Sequence, residues 1–65
     1  MAAKTLNLMG KEEKVFGTLT LDESGHGWHM AVGSEPGFQR TFSSEQDGFY
    51  FWYSRFDPTN GRLRN

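Results

Sequence analysis

The chain has no cysteine and no isoleucine, and only two valines, three alanines and two prolines among its 65 residues. Each scarcity removes a class of answer. Without cysteine there is neither a disulfide nor a thiolate metal site. With so little alanine, the strongest helix former is nearly missing. With few branched aliphatics, the core must be built from something else. No run approaches the roughly 18 apolar residues of a membrane span. The short apolar start is broken by Lys4 and Asn7, so no secretory leader and no membrane contact are expected, and a cytoplasmic location is the default.

What the chain does hold is rings: six phenylalanines, two tryptophans and two tyrosines. Each buries about 150–250 Å² when packed, so aromatics are the expected core material. A chain this short hides only about 60% of the surface its unfolded form exposes. One domain spanning residues 1–65, with a thin core, is therefore the expectation.

Seven basic and eight acidic groups leave a net charge of −1, which is no footprint for a long anionic polymer. The distribution is uneven. Residues 55–65 carry Arg55, Arg62 and Arg64 against Asp57 alone, and 62–65 read as a frayed basic tail.

Eight glycines and the two prolines cut the chain into short runs. Lys4–Met9, Val15–Asp22, Trp28–Val32, Phe38–Ser43 and Phe49–Phe56 read as strands. Val15–Asp22 alternates most strictly, with Val15, Gly17, Leu19 and Leu21 on one face. Pro36-Gly37 fits a type II turn, and Asp47-Gly48 is a turn pair. Ser43 with Gln46 resembles a capping box, but Gly48 follows so closely that one helical turn is the most expected there. The expected fold is thus all-β: an antiparallel meander of about five strands, curled or forming an open barrel.

Phe49–Phe56 is the most informative segment. As a strand it sends Phe49, Phe51, Tyr53 and Arg55 to one side and Tyr50, Trp52, Ser54 and Phe56 to the other. Both faces are aromatic, yet a thin sheet buries only one. Closure of a barrel, or cover by the tail, would hide the second face. Otherwise Tyr50, Trp52 and Phe56, with Phe16, form an exposed patch of the kind that marks an interaction surface. Arg55, Arg62 and Arg64 lie close enough in sequence to join it.

Three partners fit such a patch. A larger protein, inhibited or adapted by a small stand-alone module, comes first. An autonomous binder of this size suggests the product of a phage or mobile element. Single-stranded nucleic acid comes second, its bases stacking on the rings and its phosphates on the arginines. A homodimer through the same face comes third. Residues 47–54 match the RNA-recognition-motif signature only at Gly48, Phe49 and Phe51, which is no resemblance.

Catalysis finds little material. Asp22, Ser24 and His26 share one loop and cannot line up as a triad. Glu12–Glu13 and Glu45/Asp47 lie in connections, where carboxylates are ordinarily solvated. His26 and His29 are three apart and point opposite ways on a strand, without the second ligand pair that a zinc site needs. No enzyme activity, cofactor or metal is expected.

Overall fold

The computed structural model describes residues 4–64. Four strands follow in order: β1 (Thr5–Met9), β2 (Val15–Leu21), β3 (Trp28–Val32) and β4 (Gln39–Phe42). They form one antiparallel sheet in the spatial order β1-β2-β3-β4, with β1 and β4 at its edges among the described residues. The first four expected strands are therefore present, in a meander that does not close.

The fifth is not a strand. Residues Glu45–Arg55 form an α-helix, α1, and Phe56 makes only an isolated bridge to Leu63. The reason is the side-chain period. Gly48, Phe51, Trp52, Arg55 and Phe56 stand at i, i+3, i+4, i+7 and i+8, which places them on one helical stripe. Gly48, Trp52 and Phe56 are buried at its centre. A strand would have stranded one aromatic face in water; a helix gathers the rings onto the sheet.

Local chemistry starts the helix where it does. Ser44 is the N-cap, its Oγ accepting from the Asp47 N–H at 3.1 Å, and the Ser43 hydroxyl donates to Asp47 Oδ2 at 3.2 Å. Glu45 and Asp47 favour the positive end and Arg55 the negative end of the helix dipole. The cap lies one residue beyond the Ser43/Gln46 pair expected from the sequence, and it opens about three turns rather than one. Ser44→Ala should cost about 1 kcal/mol, read as a fall of about 4–8 °C in the melting temperature of a domain this small.

Two layers result, with a core between sheet and helix. Leu8, Leu19, Trp28, Met30, Val32, Trp52 and Phe56 are its buried members. β3 alternates cleanly, with Trp28, Met30 and Val32 buried and His29 and Ala31 exposed. Rings link in a chain across the interior: Phe42 to Phe51 at 5.3 Å, Phe51 to Phe56 at 6.0 Å, Phe56 to Trp52 at 4.8 Å, and Trp52 to Phe16 at 6.2 Å. Close approach is needed at Gly48, where a Cβ would stand 2.7 Å from Leu19 Cδ2. That glycine costs about 1 kcal/mol of helix propensity, offset by letting α1 lie against β2.

The connections are equally specific. Glu12 (φ 59°) and Glu13 (φ 60°) occupy left-handed backbone in the β1–β2 hairpin, and Lys14 N–H reaches Lys11 O at 3.2 Å. These are the positive φ values of a type I′ turn, whose twist suits a hairpin. In the next loop Ser24 Oγ donates to Asp22 Oδ2 at 3.0 Å and accepts from His26 N–H at 3.3 Å. That hydroxyl holds the Asp22 carboxyl below its usual value. The Asp22 and Ser24 side chains, with the His26 backbone N–H, thus build a turn.

The C-terminal segment, expected to fray, is tied back as far as Arg64. Leu63 N–H and Arg62 Nε both donate to Glu35 Oε2 at 2.9 Å, and Arg64 N–H donates to Arg55 O at 2.7 Å. Asn65, the last residue of the expected tail, lies outside the described residues. The Leu63 N–H, and after it Arg62, holds the Glu35 carboxyl below the ordinary glutamate value of 4.5. Because the folded value is the lower one, the anchor contributes fully above the ordinary value and is lost as pH falls through the folded one. Leu63 amide exchange should therefore accelerate, relative to unstructured peptide, on acidification below 4.5. Glu35→Ala should abolish that dependence.

Candidate functional site

Helix α1 lies on the sheet with its central stripe buried and two flanks facing solvent. Toward β4, Phe51 packs against Phe38 at 5.8 Å and Phe42 at 5.3 Å. Two guanidiniums cover it: Arg40 at 4.8 Å from the ring centroid and Arg55 at 5.5 Å. Cation–π attraction holds both in place while leaving their N–H edges free. The Arg64 backbone N–H donates to Arg55 O, which ties the C-terminal segment to the end of α1. Two exposed arginines thus share one aromatic ring on this flank. The single ion pair among the described residues, Arg62 with Glu35, involves neither of them.

On the other flank, Tyr50 and Tyr53 stand out at 74% and 67% exposure. Phe49 stacks on Tyr53 with centroids 6.2 Å apart, bracing it from below. Beside Tyr53 runs a groove of about 280 Å³, floored by Trp52 and Phe56 and walled by Met9, Lys11 and Pro58. Trp52 Nε1–H donates to Met9 O at 3.1 Å, so the floor has no free donor there. The groove is apolar apart from the Lys11 rim and can accept a side chain rather than a large ligand.

The residues singled out in the sequence divide between these places. Phe16, Trp52 and Phe56 come together, but inside: Trp52 and Phe56 are each 2% exposed, and Phe16 is half-buried against Trp52. An exposed patch containing Tyr50, Trp52 and Phe56 is therefore corrected, because helical rather than pleated geometry turns Tyr50 away from the other two. Tyr50 alone of the three faces water. Arg55 and Arg64 are joined through their backbones alone, whereas Arg62 is occupied by Glu35 and fixes the C-terminal segment. Tyr53 and Arg40 were not singled out. Reading 49–56 at period 3.6 would have found Tyr53 beside Tyr50, but nothing in sequence joins Arg40 to Arg55.

The second sheet face is open and polar. Thr5, Thr20, His29 and Thr41 form one cross-strand row and Asn7, Thr18, Ala31 and Gln39 another. His29 lies on this face and His26 in the preceding loop. Among the described residues no three of His, Cys, Asp and Glu gather where a metal could bind. No helix among them is long and apolar enough to cross a membrane. Comparison of the chain with protein-family models, with curated proteins and with solved structures gives no match.

Proposed function

We propose that this chain is a small binding module that docks onto a larger partner protein, as inhibitor or adaptor, through the tyrosine flank of α1. The observation that carries this reading is the exposure of Tyr50 and Tyr53 in a domain that otherwise turns its rings inward. Tyrosine is enriched among interface hot spots because it offers large contact area and a hydroxyl at little cost in conformational entropy. The braced Tyr53 and the adjoining groove give such a partner one fixed ring and one recess.

A Tyr50→Ser/Tyr53→Ser double variant tests it. Both side chains are exposed, so the melting temperature should stay within a few degrees, surface changes costing about 0.5 kcal/mol or less. Affinity capture from a cell lysate, with mass spectrometry, should show a protein retained by the wild type and lost by the double variant. Retention of the same protein by both would remove the tyrosines from the interface.

Single-stranded nucleic acid is the second reading, favoured by Arg40 and Arg55 over the Phe51 ring. It predicts capture that disappears with nuclease and affinity that falls steeply with salt.

A further inference from the structure

The outer edge of β4 and the arginines beside it carry an inference independent of the tyrosine flank. We infer that β4 accepts an extended acidic segment of a partner protein as a fifth strand, its carboxylates meeting Arg40 and Arg55.

The edge follows from hydrogen-bond parity. Asp22 N–H reaches Gly27 O and Gly33 N–H reaches Phe16 O, both at 2.8 Å. Antiparallel pairs alternate between hydrogen-bonded and open. In this register His29 and Ala31 thus bond toward β2, while Trp28 and Met30 bond toward Phe42 and Arg40 of β4. The N–H and C=O of Gln39 and Thr41 are left pointing outward, and among the described residues they have no backbone partner. The opposite edge is less available. There the Met9 carbonyl is already taken by the Trp52 indole.

Charge selects the occupant. Arg40 projects toward the helix side of β4, as does Phe42. In an added antiparallel strand, the residue opposite Arg40 projects to the same side, within reach of Arg40 and of Arg55 over the shared Phe51 ring. Contact with the Phe51 ring restrains both guanidiniums, whose forks suit planar carboxylates. The chain supplies no carboxylate of its own to this cluster among the described residues.

A second copy fits worse. Antiparallel β4–β4 pairing in one sheet places both helices on the same face and crowds two sets of these arginines together. Nucleic acid also fits worse, since Phe51 is half-buried beneath its arginines and no exposed ring adjoins them.

The probe is a fluorescein-labelled octapeptide alternating threonine and glutamate, titrated against the intact 65-residue chain. Saturable binding is expected, with the matched threonine–lysine peptide inactive. Gln39 and Thr41 amides should become protected from exchange, while Thr5 and Asn7 amides stay unchanged. Thr41→Pro removes an outward N–H without touching a native ladder bond, and should weaken binding about tenfold. Arg40→Glu should do the same through charge. If the proline variant fails to fold, the amide protection pattern on the wild type decides alone.

Equal binding of the lysine peptide, no binding, or binding without protection at Gln39 and Thr41 would overturn the inference. So would an oligothymidylate that competes with the peptide and loses affinity in Arg40→Glu but not in Thr41→Pro, which would reassign the arginines to phosphates. A dimer in sedimentation that Thr41→Pro dissolves would reassign the edge to a second copy.

Discussion

Trp52→Ala is expected to destabilise the domain by about 3–5 kcal/mol, the range for deleting a buried aromatic. Trp52 is 2% exposed, packs against Phe56 at 4.8 Å and Phe16 at 6.2 Å, and gives its indole N–H to Met9 O. Truncation removes the ring that joins α1 to the β1–β2 hairpin and leaves a carbonyl without its partner. Small domains sit near the low end of about 5–15 kcal/mol of total stability, so the variant should be unfolded or nearly so at room temperature. Urea denaturation followed by circular dichroism would show the midpoint collapsing. Trp52→Phe keeps a ring but not the donor, and should fall between the two, at about 1–3 kcal/mol. A Trp52→Ala protein with an unchanged midpoint would return the ring to the surface, where a strand at 49–56 would have put it. The consequence for function is practical: Trp52 cannot be used to probe an interface, because its loss removes the fold first.

That same residue shows how far the sequence could be read. The first four strands were legible because short runs bounded by glycine- or proline-marked turns carry apolar residues at alternate positions, β4 only weakly, since Arg40 takes the inward place between Phe38 and Phe42. Trp28, Met30 and Val32 against His29 and Ala31 are the plainest case. Phe49–Phe56 defeated the reading since aromatics favour strands in isolation, and tertiary packing overrides such preferences. The conflict was nevertheless visible. A strand with rings on both faces has no economical place in a single sheet, whereas Gly48, Phe51, Trp52, Arg55 and Phe56 fit one helical stripe. Gly48 concealed the helix. Glycine is a poor helix former, and only contact with Leu19 shows why it is there.

The site was legible in part for a different reason. Tyr50 and Arg55, both picked out in the sequence, face solvent, but their grouping with Trp52 and Phe56 depended on the wrong period. Arg40 reaches Arg55 only through Phe51, a tertiary contact between β4 and α1. Arg62 looked like one more free cation, and its partner Glu35 lies 27 residues away. Ion pairs at that separation leave no local trace, so free and engaged arginines look alike until the fold is known.

Gly61→Ala should cost about 2–5 kcal/mol, out of proportion to one added methyl. Two effects act together. Gly61 sits at φ +69°, where an L side chain is strained by about 1–2 kcal/mol. Its Cβ would also stand 2.6 Å from both Phe16 Cγ and Ser34 Oγ, and overpacking of that kind costs about 1–3 kcal/mol. Phe16 cannot readily move away, because on its other side a Cβ at Gly10 would already be 2.5 Å from Phe16 Cε2. The ring is clamped between two glycines that allow the hairpin and the C-terminal loop to close over it. Gly25 supplies the control. Its φ is +78°, yet nothing lies within 4 Å of a Cβ there, so Gly25→Ala should show the backbone cost alone, about 1–2 kcal/mol. The difference between the two variants in urea midpoint then measures the steric clamp. Phe16→Leu combined with Gly61→Ala completes the argument: if the ring is the obstacle, the double variant should be more stable than the sum of the two single losses, by about 1 kcal/mol or more. Strict additivity would place the cost in the backbone and leave Phe16 free to move.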